Sequence, residues 1–218
     1  MRSENTLADQ APRSFIETAR RAQIIECAIE AIAELGFAQA SLAQIARRAS
    51  VSTGVILYYF KGKDDLIGEV VAHVFAVGEA FVRPRVNQST ARGALRAFIE
   101  TSVAFIAARP RYVLAVMNII RAGRGEGGAP RFDPAVEAPR QSGFHAILEW
   151  GQSSGEFRPF DARVMVATII EALDAIPPQL AAQPDLDLDR YASELAELFD
   201  RATRSDAAID LTRSLEVP

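Results

Sequence analysis

The 218-residue sequence has one cysteine, Cys27, two histidines, His73 and His145, and one tryptophan, Trp150. A single thiol cannot close an internal disulfide, so no redox framework holds the chain. Cys27 sits inside an amphipathic helical pattern, and the two histidines lie far apart with no second histidine or cysteine four residues on. No nucleophile-base pair and no metal set results, so neither an enzyme nor a cofactor or metal protein is expected. Apolar runs such as 112–116 and 167–170 fall far short of the roughly 20 residues of a membrane span. The first fifteen residues lack the apolar stretch of a secretory signal. The expectation is a soluble, cytoplasmic protein with no membrane partner.

Lysine is also scarce. Of 24 Lys plus Arg only Lys61 and Lys63 are lysines, directly behind Tyr58-Tyr59-Phe60. The net charge of -4 argues against indiscriminate coating of nucleic acid, yet it is unevenly distributed. Residues 1–63 carry eight basic and six acidic side chains, a net +2, and the remainder carries -6. A mildly basic head on an acidic body suits a chain that meets a polyanion with one end.

Hydrophobic residues make up 49% of the chain, and they recur at helical spacing almost throughout. In 20–35, Ile24, Ala28, Ile32 and Leu35 share a face that Ile25 and Ile29 widen, and Gly36 supplies a left-handed cap. Ser41 stands three residues before Gln44, a capping box, with Leu42, Ile45, Ala46 and Ala49 on the buried side of a short helix. Ser52 caps a third helix to Tyr59, and Asp64-Asp65 favour a fourth, to about Val82. Further helices are expected over 91–108, 111–121, 134–153, 161–176 and 189–204, separated by breakers at 109–110, 122–130, 153–160 and 176–185. The glycine loop at 123–128 follows no strand and so lacks the setting of a phosphate cradle, and Asp185, Asp187 and Asp189 read as a solvated linker.

Two short helices joined by Ala49-Ser50-Val51-Ser52 form a helix-turn-helix pattern, which a plain helical hairpin would also satisfy. The residues after the turn favour the first reading. Ser52 and Thr53 can donate to phosphates or bases, Gly54 admits a close approach of backbone, and Tyr58 and Tyr59 are amphipathic donors.

The run SLAQIARRASVSTGVILYYFKGKDDL, within 20–66, resembles the DNA-binding head of TetR-family transcriptional regulators, and is similar in flavour to the betaine-regulator subgroup. Ser50 departs from the glycine usual at that turn. The resemblance implies an all-α fold: a flexible arm over 1–16, a three-helix helix-turn-helix DNA-binding domain over 17–66, and a larger helical ligand-binding and dimerisation domain over 67–218. It implies that Tyr59 and Lys63 grip phosphates with Lys61 as a weaker second, while Thr53, Gly54, Leu57 and Tyr58 face base edges, Leu57 suiting a thymine methyl. Ser41 and Gln44 are either phosphate contacts or pure capping groups, and Phe60, Leu42, Ile45 and Val55 are core.

The implied partners are a palindromic or near-palindromic duplex operator, a second copy of the chain and a small-molecule effector. Two heads are required because one offers few contacts. Candidate seam residues are Val164, Ala167, Ile170, Glu171, Asp174, Leu195, Leu198 and Phe199. Candidate pocket residues are Phe98, Phe105, Met117, Asn118, Arg121, Phe144, His145, Leu148 and Trp150, the last able to hold a cationic ligand against its ring. The implied activity is transcriptional regulation, as repressor more readily than activator, against the alternative of a helical protein-interaction module.

Overall fold

The structure, a computed structural model, describes residues 7–123 and 132–205. Among these are ten α-helices: α1 Leu7–Leu35, α2 Leu42–Arg48, α3 Thr53–Tyr59, α4 Lys63–Val82, α5 Ala91–Ala108, α6 Pro110–Arg121, α7 Ala138–Ser153, α8 Ala162–Asp174, α9 Ile176–Ala182 and α10 Leu188–Thr203. The described residues contain no strand, and the nearest approach to one is an isolated bridge between Phe157 and Arg204. The chain is therefore all-α, as expected.

Local chemistry explains most helix ends. Gly36 is left-handed at φ 78° and its amide donates to the Ile32 carbonyl at 3.0 Å. Ser41 caps α2 by accepting from the Gln44 amide, Thr90 caps α5 by accepting from Gly93, and Asp161 caps α8 by accepting from Arg163. Asp187, expected in a solvated linker, caps α10 by accepting from the Arg190 amide.

Several expectations are corrected. Helix α1 starts at Leu7, so 7–16, expected as a flexible arm, is helical even with Pro12 in its second turn. Residues 1–6, with Arg2, lie outside the described residues, as does 124–131 of the glycine loop. The expected breaker at 176–185 contains α9, because Pro177 and Pro178 occupy the first turn, where a missing N–H costs nothing. Pro134–Glu137 is a separate 3-10 turn before α7. Finally, Ala162–Ala182, α8 with α9, is long and apolar enough by composition to cross a membrane, although its individual apolar runs are short. Val166, Ile169, Leu173 and Ile176 of this stretch belong to a protein core instead.

Contacts divide the chain into two compact units: residues 1–74 with 114–133, and residues 75–113 with 134–218. The divisions fall inside α4 and α6, away from the expected 66/67 boundary. In the first unit Ile24, Ala28, Ile29 and Ile32 of α1, Ile45 and Ala46 of α2, Ile56 of α3, Phe60, and Leu66, Ile67 and Val70 of α4 are buried. Ala115, Val116 and Ile119 of α6 are also buried, and the Asn118 side-chain amide donates to the Ile32 carbonyl at 3.1 Å, which explains why 114–121 groups with α1. Two side-chain contacts tie α4 to α1: an ion pair between Arg21 and Glu69 at 2.8 Å and a hydrogen bond between His73 Nε2 and Glu26 Oε1 at 3.1 Å.

The core of the second unit joins Leu95, Ile99 and Val103 of α5, Phe144 and Leu148 of α7, the α8 stripe, and Leu195, Ala196 and Phe199 of α10. Arg92 donates twice to Asp200, at 2.8 Å each, and these bonds hold the Asp200 carboxyl below the usual carboxylate range. Gly151 lies against Phe157 so closely that a Cβ would stand 2.0 Å from the ring.

Two outcomes are expected. Gly151→Ala forces the buried Phe157 ring to move and lowers stability by about 1–3 kcal/mol, measured by thermal or denaturant unfolding. A depressed folded pKa adds stability above the unfolded value, near pH 4, that is lost as pH falls through the folded value. Asp200→Asn therefore unfolds more readily at pH 7 and loses less stability than wild type on acidification, a difference that unfolding curves across that range detect.

Candidate nucleic-acid interface

Helices α2 and α3 have seven residues each, and their turn is held by backbone bonds from Ser50 to the Arg47 carbonyl at 3.2 Å and from Val51 to the Ala46 carbonyl at 3.0 Å. Ser50 is the non-glycine residue with positive φ, 54°, among the described residues. The turn thus takes the left-handed form that the family's usual glycine adopts without strain, at a cost for serine of about 1 kcal/mol.

Ser52 caps α3 by accepting from the Val55 amide at 3.3 Å. Ile56 and Phe60 hold the helix inward, with the Arg21 guanidinium over the Phe60 ring at 5.1 Å. The opposite face carries no charge and is open: Leu57 is 51% exposed and Tyr58 73%, with Ser52 and Gly54 exposed beside them. Thr53 and Tyr59 are half-buried, and the Tyr59 ring meets Tyr58 edge-on at 5.0 Å between centroids. A methyl group added at Gly54 would meet only Ser52 Oγ, at 3.6 Å, and its backbone is ordinary helix. Neither conformation nor internal packing requires glycine there. Leu42 and Val55, expected in the core, are half-buried.

At the α2 end, Ser41 Oγ accepts from the Gln44 amide at 3.2 Å, but the Gln44 side chain accepts from Arg47. Only half of the expected capping box forms: the Ser41 amide donates to the Gln39 carbonyl at 2.8 Å, and Arg47 takes the Gln44 amide oxygen. At the α4 end, Asp65 Oδ2 accepts from the Lys61 amide at 2.9 Å, and the Lys61 side chain is exposed. The Lys63 ammonium, expected to grip a phosphate, donates to the Phe37 carbonyl at 2.9 Å and stands 4.3 Å from the centre of the Phe37 ring. No local sequence signal pairs residues 26 apart. Arg47, exposed on α2, was not among the sequence candidates, although its exposed basic end was legible.

The pocket candidates fall in both units. Within the second unit, Phe98 and Phe144 rings lie 4.0 Å apart, Leu148 is buried beside them, and Phe105 packs on Phe81 at 5.6 Å. His145 pairs with Glu149 at 3.4 Å, and Trp150 is 38% exposed. Met117, Asn118 and Arg121 belong to the first unit, where Met117 is buried, Asn118 serves α1 and Arg121 is exposed. Of the seam candidates, Val164 (64%) and Leu198 (60%) are exposed with Ala167 and Glu171, Ile170 packs against the core, and Asp174 accepts from Arg140 at 2.8 Å. Leu195 and Phe199 are buried within their own unit and are removed from the seam, since they continue the α10 stripe of Ala192 and Ala196.

Residues 24–70 match the family described as bacterial regulatory proteins, tetR family. The chain is 36% identical over 91 residues to the HTH-type transcriptional regulator BetI 1 of Chromohalobacter salexigens, covering 41% of this chain and 45% of that one. It is 48% identical over 56 residues to the HTH-type transcriptional regulator BetI of Escherichia coli (strain K12 / DH10B), covering 26% and 29%. The matches thus span less than half the length of these curated relatives. Among solved structures, a bacterial regulatory protein in the tetR family from Rhodococcus RHA1 superposes with TM-score 0.74 at 19% identity, covering 86% of this chain and 98% of that one. The transcriptional regulator FadR of Bacillus subtilis, in complex with stearoyl-CoA, superposes with TM-score 0.72 at 24% identity, covering 81% and 96%. Residues 24–70 are thus a head of the tetR-family type, and the helices that carry it have the fold of solved regulators of that family.

Proposed function

We propose that the protein is a sequence-specific DNA-binding transcriptional regulator, acting as a homodimer and as a ligand-responsive repressor of nearby genes. The observation that carries this reading is Gly54: an exposed glycine in a regular helix, with room for a side chain and no internal use for its absence. A position that needs no side chain inside the molecule is suited to a surface approaching from outside. Leu57 and Tyr58 flank it as exposed groups able to meet base edges in a major groove, with Thr53 beside them. Ser41, Gln44, Ser52, Tyr59 and Lys61 line the margins and supply phosphate contacts, which position the helix without reading sequence.

Dimerisation is assigned to the exposed α8 and α10 residues Val164, Ala167, Glu171 and Leu198, since solvent-facing leucine and valine gain from cover by a second copy. Two heads then meet successive major grooves of a near-palindromic site. The effector is assigned to the aromatic interior of the second unit around Phe98, Phe144 and Leu148. It shifts the DNA-competent population only by its differential affinity for the two states, typically worth about 1–3 kcal/mol.

Gly54→Ala separates the interface from the fold. Alanine favours a helix over glycine by about 1 kcal/mol. Unfolding should show unchanged or higher stability while binding to a duplex selected from a random library drops at least about tenfold, the size of roughly 1.4 kcal/mol. Wild-type binding by this variant would remove the support for the reading. A companion pair tests the seam: Leu198→Glu yields a folded monomer in sedimentation, whereas Leu195→Ala loses about 2–5 kcal/mol of stability because it opens the core.

A further inference from the structure

We infer that Arg47 carries a further phosphate contact of the DNA-binding head, on the outer edge of α2 and beyond the positions assigned from the motif. This rests on the DNA-binding reading above. Between Glu34 and Asp64 the sequence has no acidic residue, and its cations there are Arg47, Arg48, Lys61 and Lys63. The stretch that makes α2, α3 and the turns around them therefore brings positive charge alone. Arg47 and Arg48 are adjacent, so they project about 100° apart around the helix, and their surroundings differ. The Arg48 guanidinium reaches α1, where it pairs with Glu34 and stands 4.0 Å from Glu30. Two carboxylates thus offset its charge where it lies. Arg47 is exposed and donates to the Gln44 side chain, a neutral partner that holds the guanidinium without offsetting its charge.

The packing of α2 decides which way Arg47 turns. Ile45 and Ala46 are buried and commit one side of the helix to the interior, while Ala43 and Arg47 are exposed and Gln44 is half-buried. Residues three and four apart share a helix face, so Arg47 extends the side on which Gln44 and Ala43 lie. The same side begins at the exposed cap Ser41, and the exposed Ser50 and Ser52 follow Arg47 in the turn to α3. A backbone passing Ser41 and Gln44 at the margin of α3 therefore comes within the sweep of a long, charged side chain one turn further on. Arginine suits that place. With one N–H on Gln44, the remaining donors of its planar fork can meet two oxygens of a phosphate together.

The test measures affinity for a duplex selected by the wild-type protein at several salt concentrations, with thermal unfolding of each variant as the check on its fold. Arg47→Ala should keep its stability, since alanine is the better helix former, and should lower the steepness of log affinity against log salt by about 0.9, the loss of one phosphate contact. Arg47→Gln, which keeps most of the side-chain length, serves as a second neutral variant and should lose the same amount. Arg47→Lys should retain most of the wild-type slope, because an ammonium still neutralises a phosphate. Arg48→Ala removes the same charge from the next residue and should change the slope by less than about half of that loss. A wild-type slope in both neutral Arg47 variants overturns the contact. So does an equal loss in Arg48→Ala, which marks a general effect of net charge. Failure of the wild type to select any duplex overturns the DNA-binding reading and the contact with it, whereas firm wild-type selection with no slope change at Arg47 overturns the contact alone.

Discussion

Helices of seven residues do not hold in water by themselves, and α2 and α3 are both that short. They exist because Ile45 and Ala46 on one, and Ile56 with Phe60 at the end of the other, are buried in the first unit. That docking commits one face of α3 to the interior and leaves Gly54, Leu57 and Tyr58 outside. The proposed interface is thus a by-product of packing: the residues offered to a duplex are those the core has no use for. The Arg21 guanidinium over Phe60 and the Lys63 bond to Phe37 strengthen the same frame from its two ends.

Much of this frame was legible because it is local chemistry. Glycine at 36, serines at 41 and 52, and the strained serine at 50 act through bonds to atoms two to four residues away, and spacing reveals such bonds. Long-range pairings were not legible. Nothing near Lys63 announces Phe37, and nothing near Asn118 announces the Ile32 carbonyl that draws it into the first unit. The capping box forms only its first half, since the Gln39 carbonyl takes the Ser41 amide and Arg47 takes the Gln44 side chain, and the motif says nothing of such competitors.

Helix α10 shows the limit of periodicity. Leu195, Leu198 and Phe199 are all apolar, and their i, i+3, i+4 spacing sets all three on one broad side of the helix. Which of them is interior depends on the neighbouring helix: 195 and 199 complete the core with α5, and 198 stays outside. Helix α9 was hidden for the opposite reason, because two prolines that break a helix in its middle favour one at its first turn. The fold class survived these errors because it rests on many stripes, whereas a seam or pocket rests on a few residues whose outward or inward sense no single stripe decides.

The central claim is that the outward face of α3 and its margins are the surface that meets duplex DNA. The most direct measurement is a titration of the labelled protein with a wild-type-selected duplex, following backbone amide resonances. The account predicts the largest shifts at 41–44, 52–59 and 61, with the buried positions 24–32 little changed. Shifts centred elsewhere, or none with any duplex offered, contradict it.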